Sequence, residues 1–227
     1  MSKQKATTLI VSDIHLGSPV SRAEKLLETL KQWEFETIIL LGDVFDDLDL
    51  NNLREDHWEL LSHLSHLSEK KEVIWIEGNH DKNLSKVMSS LVGIQVYKKY
   101  VWKHQNKKCL ALHGHQFDRF MLDNVFLSYI ASKIYLLMQK LGGKEQKIAR
   151  YIKRKSKGWL RLSNKVAKSA IFYARLHRAD YVFCGHTHFS MEMKQKGVHY
   201  FNSGCWTDVP SSMIAMRRSS IEIVKIK

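Results

Sequence analysis

The run TTLIVSDIH at residues 7–15 shows the unit from which this chain is built: a short apolar strand that ends in an aspartate and a histidine. Residues 7–12 are β-branched and apolar, which predicts a strand buried on both faces. The unit recurs as TIILLGD at 37–43 and as VIWIEGNHD at 73–81. In each case side chains that can bind a metal follow the buried strand directly.

Two later strands end in the same way, and the segments between strands are helical. Residues 108–112 lead into His113-Gly-His115, and residues 181–184 lead into Gly185-His-Thr-His188. Leucines at helical spacing predict helices at 21–34, where Ser21 and Glu24 form a capping-box pattern, and at 52–67. Further strands are predicted at 190–195, 198–202, 212–217 and 220–226. The order of elements predicts an α/β sandwich with mixed sheets.

The five strand ends predict a metal centre. Open α/β sheets gather ligands at the carboxyl ends of their strands, so these side chains should meet at one rim. Aspartate, histidine and asparagine without cysteine suit manganese, iron or zinc rather than calcium or a structural zinc site. About seven ligands would serve two metals if one carboxylate bridges them. Asp43 stands alone at its strand end and is the expected bridge.

The ordered motifs D-x-H, G-D-x-x-D, G-N-H-D, H-G-H and G-H-x-H, spread over residues 13–188, resemble the calcineurin-like metallophosphoesterase superfamily. The resemblance implies a four-layer α/β/β/α sandwich with mixed sheets and an inserted helical cap. It also implies hydrolysis of a phosphodiester or pyrophosphate bond by a metal-activated water. Two cations would lower the pKa of that water and neutralise the phosphate oxygens.

The resemblance also implies a role for each motif residue. One metal would be held by Asp13, His15 and His188, and the other by Asn79, His113 and His186, with Asp43 between them. His80 would be the catalytic proton donor to the leaving group, held by Asp81. Two divalent ions are expected, manganese first, with iron, zinc or magnesium as alternatives.

Several other polar residues lie near these motifs. His57, His63 and His66 lie on an amphipathic helix, are expected to be exposed or half-buried, and receive no role. Asp46 and Asp47 are either partners of the metal ligands or simple turn residues, and the sequence leaves both interpretations open. No substrate-binding residue is assigned.

The net charge of +13 lies in one segment. Residues 119–178 carry 15 Lys and Arg against two acidic residues, whereas the rest of the chain is formally neutral. The same segment is rich in large apolar side chains. We therefore expect a basic helical cap at 119–178, inserted into a core formed by 1–118 and 179–227. The positive electrostatic potential of such a cap predicts an anionic partner.

An insertion between H-G-H and G-H-x-H resembles the bacterial UDP-2,3-diacylglucosamine pyrophosphatase group. That resemblance implies a nucleotide-sugar lipid as substrate in lipid A biosynthesis, manganese as the metal, and a peripheral position at the inner face of the membrane. Apolar groups of the cap could receive acyl chains, and its bases could attract pyrophosphate and anionic headgroups. The apolar groups could equally just pack the cap onto the core.

Other interpretations remain open. His80 stands where that group commonly has arginine, and Cys205-Trp206 follows the N-x-G at 202–204 where relatives often have G-D-W, which favours a sister group with another substrate. A basic cap could grip the backbone of a nucleic acid, as in a nuclease. A non-catalytic scaffold on this fold should have lost ligands, and here every one is present.

The compartment is inferred from what the sequence lacks. There is no signal-peptide pattern and no run of 18 uncharged apolar residues. The three cysteines include no C-x-x-C pair, which is typical of reduced thiols. We expect a cytoplasmic protein.

Overall fold

The computed structural model describes residues 3–47, 49–82, 87, 89–90, 93–118 and 157–227. Two mixed sheets form the centre of this part of the chain. The six-stranded sheet contains, in spatial order, β13 (Ile221–Ile226), β12 (Ser211–Met216), β2 (Thr8–Val11), β4 (Thr37–Leu41), β5 (Glu72–Ile76) and β6 (Val96–Tyr97). Strands β2, β4, β5 and β6 are parallel, and β12 and β13 add an antiparallel edge.

The second sheet has five strands. In spatial order they are β10 (Met191–Gln195), β11 (Val198–Asn202), β9 (Tyr181–Cys184), β8 (Lys107–Ala111) and β7 (Tyr100–His104). The three central strands β11, β9 and β8 are parallel, and both edge strands are antiparallel to their neighbours. A short parallel pair, β1 (Gln4–Lys5) with β3 (Trp33–Glu34), lies outside the two sheets.

Helices cover the outer faces of both sheets. Helices α1 (Ala23–Lys31) and α2 (Glu55–Ser68) share a buried cluster with the first sheet, and α3 (Lys157–Leu176) shares another with the second. A third cluster lies between the sheets. The strand β4 shows why its sequence is an unbroken apolar run: Ile38 and Leu40 face the helices, whereas Ile39 and Leu41 face the second sheet. The four-layer α/β/β/α sandwich expected from the sequence is confirmed.

Most predicted strands agree with the structure to within a residue or so, and both predicted helices are shorter. Helix α1 ends at Lys31 because Trp33 and Glu34 pair with the N-terminal strand. The predicted capping box is wrong, since Ser21 Oγ donates to the carbonyl of Ile14 at 2.8 Å instead of capping the helix. The edge strand β7 was not predicted, and neither were the two-residue strands β1, β3 and β6; the side chains of β7 alternate between partly buried and exposed.

Helix α3 lies within the segment 119–178 that was predicted to form the cap. Its small residues Ala167, Ala170 and Ala174 are buried against β9 and β11, so this stretch forms the outer layer of the second sheet. Residues 119–156 lie outside the described residues, and the division of the chain into core and cap stays a prediction. Within the described residues, none of the helices has the length and apolar character needed to cross a membrane. The three cysteines are free and buried.

Candidate metal centre

The candidate ligands lie directly beyond the carboxyl ends of five parallel strands. Asp13 and His15 follow β2, Asp43 follows β4, Asn79 follows β5, His113 follows β8, and His186 and His188 follow β9. The first three of these strands belong to one sheet and the last two to the other. Main-chain bonds continue past the strands, with Asp13 N donating to the carbonyl of Gly42 at 3.1 Å and Gly185 N to that of His113 at 2.9 Å. Between the sheets, His186 N donates to Asp13 Oδ2 at 3.0 Å, so the two sheets present their strand ends at one common rim.

The structure gathers these side chains into two groups. In each group the potential ligand atoms lie within 4.8 Å of one another: Asp13, His15 and His188 form the first, and Asp43, His113 and His186 the second. His188 Nε2 is 3.2 Å from Asp13 Oδ1, and His113 Nε2 is 3.2 Å from Asp43 Oδ2. The same Asp43 oxygen is 4.0 Å from His15 Nε2. Asp43 thus lies between the two groups, where a bridging ligand would have to lie.

The backbone at this rim is strained. Asp13, His15, Asp43, His186 and His188 all have positive φ, between 50° and 68°. A residue with a side chain pays about 1–3 kcal/mol for such a conformation, and it persists only where the surrounding structure holds it. Strain of this kind clusters at functional sites. Here the strained residues follow β2, β4 and β9.

Two glycines leave room for Asp43 and His113. A Cβ at Gly78 would lie 2.1 Å from Asp43 Oδ1 and 2.3 Å from its backbone nitrogen. A Cβ at Gly42 would lie 2.4 Å from His113 Nδ1, and Gly42 also has a φ of +86°. The glycines of G-D and G-N-H-D are thus required because backbone and ligand side chains approach too closely for any larger residue.

The polar atoms that a metal would need are available. Asp13 Oδ1, Asn79 Oδ1 and His113 Nε2 are buried and make no hydrogen bond within the described structure. Buried polar atoms without partners are rare in native proteins, because each costs desolvation free energy. Two carboxylate or amide oxygens and one imidazole nitrogen fit a divalent transition metal. The donor set and its unsatisfied atoms therefore fit the two ions expected from the sequence.

The buried carboxylates of the site need a compensating positive charge. Burial lowers the pKa of His113, but the nearby charge of Asp43 outweighs it and raises that pKa to about 10. Burial raises the pKa of Asp43, but the charge of His113 outweighs it and brings that pKa well below 3.8. Two buried carboxylates, Asp13 and Asp43, thus require compensation, which a proton on His113 or a bound cation supplies.

Asp81 is placed differently from expectation. His80 Nδ1 donates to the carbonyl of Asp46 at 2.7 Å, and its ring lies 4.9 Å from that of His15. Asp81 is buried and accepts hydrogen bonds from Gly78 N at 2.7 Å and Val44 N at 2.8 Å. The expectation that Asp81 holds the His80 ring is wrong, because main-chain donors turn its carboxylate toward β4. Asp81 fixes the loop that carries Asn79.

The structure also resolves the open alternative for Asp46 and Asp47. Asp46 Oδ1 lies 2.8 Å from His15 Nδ1, so Asp46 holds a candidate ligand. Asp47 Oδ1 accepts from the backbone nitrogen of Asp49 at 2.9 Å and is a turn residue. The predicted exposure of His57 is wrong. His57 is fully buried, and its Nδ1 accepts from Gly17 N at 3.1 Å.

Two further residues at the site escaped the sequence analysis. Asp118 Oδ2 lies 3.3 Å from His186 Nε2, and its buried position could not be inferred from the H-G-H motif three residues before it. Asn202 is buried and donates to the carbonyl of Gly185 at 2.6 Å and to Thr187 Oγ1 at 3.2 Å, which supports the loop of His186 and His188. The N-x-G pattern was the available signal for Asn202.

Comparisons with known proteins agree with this geometry. Residues 7–217 match the family described as the calcineurin-like phosphoesterase superfamily domain. Comparison with curated protein sequences gave no match.

Among solved structures, the chain is similar to Yfce, a phosphoesterase from E. coli, with 20% identity, a TM-score of 0.52, and coverage of 97% of this chain and 99% of that one. It is similar to an archaeal phosphodiesterase with 15% identity, a TM-score of 0.51, and coverage of 96% and 99%. It is also similar to the zinc complex of Vps29 from Entamoeba histolytica, with 15% identity, a TM-score of 0.50, and coverage of 96% and 97%. These likenesses show a shared fold.

The family match covers all five strand-end motifs and every strand of the two sheets except the edge strand β13. The chain therefore belongs to the calcineurin-like phosphoesterase superfamily and is a metal-dependent hydrolase of that family.

Proposed function

We propose that this protein uses two divalent metal ions to hydrolyse a phosphodiester or pyrophosphate bond. The observation that carries the proposal is the pair of ligand groups, each compact within 4.8 Å, with Asp43 within 4.0 Å of a histidine of each group. In the proposal Asp13, His15 and His188 hold one ion and Asn79, His113 and His186 the other, with Asp43 shared. Two ions bound in this way supply an activated water and neutralise the phosphate oxygens.

The protein's own contribution is to orient the ligands. Asp46 holds His15 through Nδ1, and the carbonyl of Leu41 holds His113 through Nδ1 at 2.8 Å. A carbonyl can only accept, so Nδ1 of His113 carries the hydrogen and Nε2 keeps the lone pair that a metal needs. That same Nε2 is buried and without a hydrogen-bond partner in the described structure.

His80 is suited to donate a proton to the leaving group. Its ring is exposed at the mouth of the site, next to His15. Because Nδ1 donates to the carbonyl of Asp46, Nε2 is the nitrogen left for contact with a leaving group. A histidine so held keeps one nitrogen fixed and presents the other, as a general acid requires.

For the substrate, we propose an amphipathic nucleotide-sugar phosphate similar to UDP-2,3-diacylglucosamine. The basic, apolar-rich segment 119–178 supports an anion with an apolar part. In the described portion of that segment, Phe172 and Leu176 are 60% and 67% exposed. They line a groove with Lys168 and with Phe117, which follows the H-G-H turn. A lysine among exposed apolar groups suits a charged headgroup on an apolar chain.

A panel of substrates tests both the proposed hydrolytic activity and the proposed substrate. UDP-2,3-diacylglucosamine, bis-p-nitrophenyl phosphate, cyclic nucleotides and single-stranded DNA are each incubated with the protein and manganese, and products are quantified. We expect turnover of the model diester and release of UMP from the nucleotide lipid. Asp43→Asn, which removes the shared negative charge at constant shape, should abolish turnover and lower the bound metal.

The outcomes separate the hypotheses. Wild-type turnover by Asp43→Asn would overturn the shared-ligand assignment. No turnover of any compound with manganese, iron, zinc or magnesium would overturn the hydrolytic proposal. Cleavage of single-stranded DNA in preference to the lipid, with binding that weakens steeply as salt rises, would replace the substrate class with nucleic acid.

A further inference from the structure

The partner of one ring nitrogen in a histidine determines which nitrogen remains for a metal. A nitrogen that donates to a carboxylate or carbonyl carries the hydrogen, and the opposite nitrogen carries the lone pair. In His15 and His113 the held nitrogen is Nδ1, which pairs with Asp46 and with the carbonyl of Leu41. Both rings therefore present Nε2.

His186 is held in the opposite sense. Its Nε2 lies 3.3 Å from Asp118 Oδ2, and both side chains are less than 10% exposed. Deprotonated Asp118 can only accept, so the hydrogen between the two groups belongs to His186 Nε2. Nδ1 of His186 is then the nitrogen with the free lone pair.

Asp118 stands on a well-anchored turn. It follows the 3₁₀ turn His115–Phe117, and its backbone nitrogen donates to the carbonyl of His115 at 3.1 Å. The ring of Phe117 packs against Tyr173 of α3 with 5.7 Å between centroids. The turn that carries Asp118 is thus anchored to α3, as the support of a group that orients a ligand must be.

Asp118 does not belong to the ligand groups themselves. Within the described residues, the compact group that contains His186 is completed by Asp43 and His113. Asp118 belongs neither to that group, nor to that of Asp13, His15 and His188, nor to a third one formed by His15, Asp46 and His80. Its carboxylate reaches the site through the contact with His186 Nε2.

We propose that Asp118 is a positioning residue that fixes the tautomer of His186, so that His186 binds its metal through Nδ1 whereas His15 and His113 bind through Nε2. The proposal rests on the metal centre proposed above, and it adds which atom of His186 is the ligand and what sets it. Outer partners of this kind typically change metal affinity by about 10–100-fold when removed.

The first test needs neither metal nor substrate. Long-range ¹H–¹⁵N correlation of the metal-free protein, at a pH where the ring is neutral, reports which nitrogen of His186 carries hydrogen. We expect the Nε2–H form in the wild type and loss of that preference in Asp118→Ala. A wild-type His186 in the Nδ1–H form would overturn the proposal.

The second test measures zinc and manganese binding by calorimetry. Asp118→Ala should weaken one of the two sites by about 10–100-fold and leave the other unchanged, with a smaller loss in Asp118→Asn, which keeps a neutral acceptor. Glu192→Gln is the matched control, since Glu192 likewise pairs with a histidine, His199, at 2.6 Å, but lies on the edge strand β10 and belongs to none of the ligand groups. Wild-type affinity at both sites in Asp118→Ala would refute the positioning role. Failure of wild type to bind two ions would instead refute the proposed function, while the tautomer measurement would still decide the role of Asp118.

Discussion

Replacing Gly78 with alanine would place a methyl group where the loop after β5 passes closest to Asp43. The new Cβ would lie 2.1 Å from Asp43 Oδ1 and 2.3 Å from Asp43 N, whereas ordinary contacts begin at 3.4 Å. A side-chain oxygen could rotate away, but the backbone nitrogen cannot, because Asp43 is fixed at the end of β4. The loop or the strand end must therefore move by about 1 Å, and a misplacement of that size costs roughly 100-fold in rate. Overpacking of this kind costs about 1–3 kcal/mol of stability.

The assay combines urea unfolding, metal content and turnover of a p-nitrophenyl diester. Gly158→Ala is the matched control, because a Cβ at Gly158 meets nothing within 4 Å and the residue lies in α3. That control should leave stability unchanged or raise it by less than about 1 kcal/mol, the helix propensity gained over glycine. If Gly78→Ala kept wild-type stability, metal content and rate, the close approach of Gly78 to Asp43 would be refuted, and with it the explanation of the G-N-H-D glycine.

Two other substitutions test separate parts of the reasoning. His80→Ala should lower the rate of hydrolysis by roughly 100- to 10,000-fold, the usual contribution of a general acid, while both metals stay bound. If this variant lost as much metal as Asp43→Asn, His80 would be a ligand and not a proton donor. His57→Asn should flatten the acid limb of the stability profile measured by urea unfolding. Burial lowers the pKa of His57 from 6.5 to about 4, so the unfolded chain takes up a proton first, and the stability present above pH 6.5 is lost as the pH falls toward 4. Asparagine is chosen because its side-chain oxygen can still accept the hydrogen bond from Gly17 N. If stability fell with pH in the same way in both proteins, a buried neutral His57 would be contradicted.

The strands were predictable because their signal is local. A run such as residues 37–41 is apolar on both faces, and only a strand between two packed layers needs that pattern. The edge strand β7 has no such apolar run: it alternates between partly buried and exposed residues, and it is defined by its pairing with β8. The N-terminus of α1 shows the same limit, since Ser21 bonds to Ile14 instead of completing the helix cap that its neighbours suggest.

The sequence by itself determined which residue types stand at the strand ends, and the parallel order of those strands was enough to predict that they would meet. Only the tertiary structure decided how each side chain is held. Asp46 faces His15 across 31 positions, Asp118 faces His186 across 68, and Asn202 supports Gly185 across 17. Hydrogen bonds of this kind join loops that are neighbours only because their strands pair side by side in a sheet: β2 with β4, β8 with β9, and β9 with β11. Neither the hydrophobic periodicity nor a motif of one segment indicates which ring nitrogen of a histidine will contact a partner that is distant in sequence.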